Sequence, residues 1–158
     1  MLELNLPACQ FNVKKRDGKF FIFDSQRKRF VALTPEEWVR QHFVRFLVDE
    51  KGYPAALLAV EHQLTINGMK RRCDVVLFNR VGEPQLIVEL KAPSVPISQA
   101  VFHQVAVYNS KLKVEFFFIS NGLEHFACKV DMENGKYVFL PTIPDYSDLL
   151  TKDTDENE

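Results

Sequence analysis

Three side chains near the middle of the chain have the types and the spacing to hydrolyse a phosphodiester. Val88-Glu89-Leu90-Lys91 closes an apolar run that starts at Leu86. In a strand successive side chains point to opposite faces, so Glu89 and Lys91 share one side while Val88 and Leu90 take the other. Asp74 stands in the preceding apolar run, Cys73-Asp74-Val75-Val76-Leu77-Phe78, and a hairpin between the two runs would bring its carboxylate to the same spot. Two carboxylates supply oxygens for a hard cation, and a neighbouring ammonium can orient water and help to take its proton. Glu-x-Lys alone is a weak signal, because charged pairs are common at strand ends. An acid set among Val75, Val76, Leu77 and Phe78 is harder to read as mere surface.

The elements that must position these residues follow from periodicity. Residues 10–32 alternate apolar and polar around Asp17-Gly18 and Asp24-Ser25, which reads as a ribbon of one or two hairpins laid on the core. Thr34, Pro35 and Glu37 form the start signal of a helix with a capping box, and Trp38, Val39, Phe43, Phe46 and Leu47 make its apolar stripe. Gly52 and Pro54 end it. Residues 55–60 are ambiguous between a helical turn and a strand. Val60, His62, Leu64 and Ile66 then alternate into Asn67-Gly68, a strong hairpin signal, with the return strand over residues 70–78. Gly82-Glu83-Pro84 turns the chain into a third strand over residues 85–90, whose nearly continuous apolar character suits a central position. Ser98 caps a second helix to about Asn109, residues 114–119 form a buried strand, and residues 125–130 and 136–140 form a final antiparallel pair. The order helix, three strands, helix, strand makes an α/β domain with a mixed central sheet flanked by helices, an N-terminal β-ribbon and a C-terminal hairpin. The expected organisation is residues 1–32 as the ribbon, 33–145 as the main domain, and 146–158 as a docking segment with an acidic, disordered tail.

Asp74 with Glu89-Leu90-Lys91 resembles the Asp…Glu-x-Lys signature of the PD-(D/E)xK nucleases, and the wider chain resembles the nuclease domain at the N-terminus of the motor (R) subunit of type I restriction enzymes. Pro35-Glu36-Glu37-Trp38-Val39-Arg40-Gln41 is similar to that domain's opening helix, and Gln104 with Tyr108 is similar to its Gln-x-x-x-Tyr on the helix after the catalytic strand. The first half-motif here is Cys73-Asp74 and not Pro-Asp, a change that alters geometry and no ligand. The resemblance implies a restriction-endonuclease-like core and a DNA endonuclease of restriction or repair, dependent on magnesium or manganese. It assigns Asp74, Glu89 and the Leu90 carbonyl to the metal, with Glu37 as a further ligand and Glu36 and Glu61 as alternatives. Lys91 would position and help deprotonate water, and Gln104 would bond DNA or that water. Tyr108 would contact the DNA backbone or simply pack in the core. Lys70-Arg71-Arg72 would contact phosphates, with a solvated hairpin rim as the plainer reading.

Composition is compatible with this and narrows the alternatives. At 158 residues the chain suits one domain, and its 46% hydrophobic content is ordinary for a soluble globular protein. No apolar run is long enough to span a membrane and the N-terminus lacks the plan of a signal peptide, so a cytoplasmic location is expected. Cys9, Cys73 and Cys128 are odd in number and widely spaced, which suggests reduced thiols and neither a disulfide framework nor a zinc site. The net charge is −1, but residues 151–158 carry −3 of it, leaving a mildly basic body at +2. There is no Gly-x-x-x-x-Gly-Lys loop, so ATP is not an expected partner; DNA is, along with other restriction-system subunits or a second copy of the chain. The alternative function is a catalytically silent nucleic-acid-binding or docking module of a restriction-type assembly.

Overall fold

The computed structural model describes residues 2–66 and 68–150; the side chains of Ile66, Met69, Val107, Tyr108, Ser110 and Lys111 are not among those described. Asn67 of the expected hairpin turn and the acidic tail at residues 151–158 therefore lie outside the described residues.

Two sheets carry the chain. The first is a three-stranded antiparallel ribbon of β1 (Val13–Arg16), β2 (Lys19–Asp24) and β3 (Arg29–Ala32). Its first turn places Asp17 and Gly18 both at positive φ, 52° and 78°, the conformation that lets a two-residue connection match strand twist. The ribbon is held to the body by Ile22, which is fully buried, and by the Gln26 amide, which donates to the carbonyls of Ala55 and Leu58.

Helix α1 (Pro35–Arg45) follows and runs on through a π-helical turn at Phe46–Glu50. Thr34 caps it: the hydroxyl accepts from the Glu37 amide at 3.0 Å, and Pro35 sits where its missing N–H costs nothing. Val39, Phe43 and Leu47 are fully buried, so the apolar stripe read from the sequence is the face laid on the sheet. The ambiguous stretch resolves into both of its readings, a 3-10 turn at Ala55–Leu57 and then a strand.

The second sheet has six strands in the order in which they occur: β4 (Leu58–Ile66), β5 (Met69–Phe78), β6 (Pro84–Leu90), β7 (Phe116–Ser120), β8 (His125–Asp131) and β9 (Lys136–Leu140). All neighbours are antiparallel except β6 and β7, which are parallel and joined by α2 (Gln99–Leu112). A parallel pair needs such a crossover, and it places the C-terminal end of β6 and the start of α2 at one edge of the domain. α2 is three residues longer than the sequence suggests, ending at Lys113 in the left-handed region at φ 57°, and the Ser98 hydroxyl makes no capping bond. A short helix, α3 (Tyr146–Leu150), closes the described chain.

The sheet has a core on each side. Val88, Leu90, Phe116 and Phe118 join Val39, Phe43 and Leu47 of α1, while Ile87, Phe117 and Ile119 join Phe102 and Val105 of α2. The Phe116-Phe117-Phe118 run is thereby split between two cores by the strand's twofold alternation. Among the described residues no helix is long and apolar enough to cross a membrane.

Candidate functional site

β5 and β6 bring the three chemical residues together. The strands pair with Val75 opposite Val88, so the next position along brings Asp74 beside the end of β6. There Asp74 Oδ2 accepts the Leu90 amide at 2.8 Å, a side-chain bond that prolongs the ladder and fixes the carboxylate. Lys91 lies just past the strand, tied by its own amide to the Ser120 carbonyl at 2.9 Å, and its ammonium stands 3.3 Å from Glu89 Oε1. Rigid strand backbone thus positions all three.

Helix α1 adds a layer of charge that motif reading did not single out. Arg40 is almost entirely buried; it bonds Asp74 Oδ1 at 3.0 Å, reaches Glu36 at 3.3 Å and Glu61 at 3.5 Å, and pairs closely with Glu37. Arg27, from the connection between β2 and β3, pairs with Asp24, Glu37 and Glu61. Two guanidiniums and five carboxylates interlock here, and a charge can be buried on these terms because each has a partner. Spacing offered one clue: Glu36, Glu37 and Arg40 fall three and four apart on one helix. The pairing of Arg27 and Arg40 across elements had no local signal.

The network changes the reading of Glu37. The sequence placed it as a metal ligand or as the return half of a capping box; in the structure its side chain turns to other partners. Its carboxylate is 3% exposed and is taken by Arg27, Arg40 and the Gln41 amide. Glu36, one residue earlier and half-buried, is the helix acid that meets Asp74. Glu61 adopts φ 51°, a left-handed conformation costly for a residue with a Cβ, and interrupts the ladder where it would stand opposite Asp74. That distortion turns its carboxylate to Arg27, Arg40 and Arg72.

Like charges crowd around Asp74. Burial, followed by the negative charge of Asp74, pushes the Glu89 carboxyl above its usual range, against the opposing pull of Lys91 and Arg71. Burial and Asp74 likewise raise Glu36, with Arg40 and Lys91 opposing. Two acids whose pKa values are raised by burial and by a shared negative neighbour mark a place where added positive charge is welcome. Asp74, Glu89 and the Leu90 carbonyl therefore fit a divalent cation by donor chemistry. Among the described residues no three acids, histidines or cysteines form a ready-made cation cage, and one Asp74 oxygen must exchange Arg40 for the ion.

Gln104 is exposed on α2, and Lys70, Arg71 and Arg72 are exposed along β5. Arg72 is 3.5 Å from Glu61. The Tyr108 side chain, expected on the same helix face as Gln104, falls outside the described residues. His42 packs against Trp38 and Phe11, and His125 bonds Ser120 at 2.7 Å, both structural roles.

An order of strands β4 to β9 with one parallel crossover, an acid on the second strand and Glu-x-Lys on the third defines a restriction-endonuclease-like α/β domain. The comparisons with known proteins agree. The model of the type I restriction enzyme R protein N terminus (HSDR_N) family matches residues 35–144, and the chain belongs to that family. No curated protein matches. Among solved structures, a fragment of a protein described as an HsdR subunit of a type I restriction enzyme from Vibrio vulnificus YJ016 superposes with a TM-score of 0.54 at 21% identity, over 78% of this chain. The chain spans 26% of that protein. A protein of the DUF820 group from Anabaena variabilis ATCC 29413, described as a nuclease, aligns over 90% of this chain and 86% of its own at 12% identity, with a TM-score of 0.49.

Proposed function

We propose that the chain is a divalent-metal-dependent nuclease domain that hydrolyses DNA phosphodiester bonds. One observation carries this reading: Asp74, Glu89 and Lys91 converge at one strand end, where burial and then the charge of Asp74 raise both Glu89 and Glu36 above their usual carboxyl range. Magnesium or manganese would supply charge to the phosphate oxygens and lower the pKa of water. Asp74 and Glu89 would hold it, with the Leu90 carbonyl beside them and Glu36 replacing Glu37 as the acid from helix α1.

The chain's own groups do the rest. Lys91, fixed at its backbone by Ser120 and drawn to Glu89, would hold the attacking water, help to move its proton, and offset charge gathering on the phosphate. Arg40 would set the Asp74 carboxylate and lend positive charge to the same place. The exposed cations Lys70, Arg71 and Arg72 would engage backbone phosphates, which carry no sequence information, so cleavage by the chain alone should be indifferent to sequence. Family membership supports a place beside other type I restriction subunits or a second copy of the chain, with DNA as the substrate.

A second reading has its own observation. Both Asp74 oxygens are already engaged, by Arg40 and by the Leu90 amide, which suits a silent module whose site is closed by its own guanidinium. Incubating supercoiled and linear DNA with the pure protein and magnesium or manganese separates the two. Nicking lost in Asp74→Ala, in Lys91→Ala and with chelator supports the nuclease; no cutting, with no metal bound in calorimetry, supports the silent module.

A further inference from the structure

The β1–β3 ribbon concentrates positive charge: residues 13–32 hold seven cations and two acids, in a chain whose net charge is −1. Strand register divides its side chains between two faces. Ile22 and Asp24, both buried, point inward. The opposite face carries Lys14, Arg16 and Lys19 beside Phe21, Phe23 and Phe30. The three cations are exposed, Phe23 is 38% exposed, Phe21 and Phe30 are half-buried, and none of the six belongs to either core of the large sheet. Arg16 and Lys19 stand directly opposite each other, an arrangement that disfavours a hairpin. No carboxylate pairs with either, or with Lys14, among the described residues. Lys14 Nζ lies 3.9 Å from the centre of the Phe30 ring, and Phe30 meets Phe23 edge-on at 5.3 Å, so charge and ring form one continuous surface.

We infer that this face binds single-stranded DNA, with Lys14, Arg16 and Lys19 along its phosphates and a base stacked on Phe23. Unpaired cations beside an exposed ring suit a polyanion that also offers flat apolar faces. A duplex keeps the faces of its bases inside its own stack, and one exposed ring is too little apolar surface to anchor the ribbon in a bilayer. The strand residues on this face include no amide or carboxylate that could read a base edge, so binding tolerates any sequence. The ribbon lies before residues 35–144, the part of the chain that the family matches, yet it is braced against the site: Arg27, in the β2–β3 connection, pairs with Glu37 and Glu61. A strand rises about 3.3 Å per residue, so Lys19 at the cationic tip stands about 17 Å along β2 from Asp24. The choice of DNA over RNA rests on the proposed function; the phosphate and stacking contacts do not.

The test is fluorescence anisotropy of a labelled mixed-sequence DNA single strand, its duplex, and an RNA strand of the same sequence, with metal chelated so that cutting plays no part. The DNA single strand should bind most tightly. Phe23→Ala should weaken it about 5- to 150-fold. Arg16→Gln combined with Lys19→Gln removes the opposed charges and should fold at least as well as the wild type. It should flatten the dependence of log Kd on log salt by about 1.4. Duplex or RNA bound as tightly as the DNA strand, protein retained by phosphatidylserine vesicles and not by the strand, no saturable binding, or folded variants that bind like the wild type, overturns the inference. Nicking in the presence of magnesium is a separate readout, so a silent active site leaves strand binding standing.

Discussion

Arg40 Nη2 lies 3.0 Å from Asp74 Oδ1, so the acid assigned to the metal already has a buried cation as its neighbour. The same guanidinium pairs with Glu37, whose remaining partners are Arg27 and Gln41. Arg40→Ala would leave Glu37 buried with part of its charge uncompensated, and removing one member of a buried pair costs about 3–5 kcal/mol. Replacing Arg40 and Glu37 together by methionine should cost clearly less than the two single changes summed, because neither charge is then stranded. Urea unfolding of the three variants measures the coupling, and additive losses would show that the pair is not one unit.

Lys91 is a contrasting case. Its side chain is 29% exposed and its only close partner among the described residues is Glu89, so Lys91→Ala should change stability by no more than about 0.5 kcal/mol. If the chain is a nuclease, the same change should slow DNA nicking by about 10²- to 10⁴-fold, the usual worth of a positioned proton-transfer group. Plasmid nicking and a urea midpoint on one preparation would distinguish the two effects. Nicking that survives at the wild-type rate would remove Lys91 from the chemistry.

Local pattern revealed the fold and the three residues that meet at the end of β6 and missed the charge layer around them, for physical reasons. Thr34-Pro35, the alternation from Val60 to Ile66 and the Gly82-Glu83-Pro84 turn are signals written within a few residues, and each marks an element boundary in the structure. Asp74, Glu89 and Lys91 stood out because charged residues interrupt apolar strands. Arg27, by contrast, lies in an exposed-looking Arg27-Lys28-Arg29 cluster, and only tertiary folding aims it at Glu37 and Glu61. Glu36 and Glu37 differ by about 100° around a helix, and which of them meets Asp74 depends on how α1 is rotated on the sheet. The left-handed Glu61 was equally invisible, since nothing in its neighbours' types demands that conformation.

The three cysteines should separate by reactivity. None is in a disulfide; Cys73 and Cys128 are buried, and burial pushes the Cys128 thiol up to about 12. Cys9 is half-buried near the surface, its thiol also raised, by burial first and only partly offset by Arg45. A thiolate is the reacting form, so a disulfide reagent at pH 8 should modify a single thiol per native chain, slowly, and all three in denaturant. Mass spectrometry of the modified peptides would locate the adduct. Fast labelling of Cys128 in the native protein would contradict its burial.

His42 should give stability a pH dependence of definite sign. Its ring is enclosed by Trp38 and Phe11, and its Nδ1–H donates to the Trp38 carbonyl at 2.8 Å. Burial, the largest influence, lowers its pKa below the ordinary 6.5; the Trp38 bond opposes this and Arg45 adds to it. The unfolded chain therefore binds the proton at a pH where the folded chain does not. The contribution is complete above 6.5 and is lost as the pH falls below that value towards the folded pKa. Glu36 and Glu89, raised by burial and Asp74, act in the opposite sense at lower pH, since their folded forms bind protons more readily. Urea midpoints of the wild type and His42→Leu, compared between pH 7.5 and 5.5, isolate the histidine: the gap between the two should narrow as the pH falls. A gap that is constant across that range would mean that His42 keeps its unfolded-state pKa in the fold.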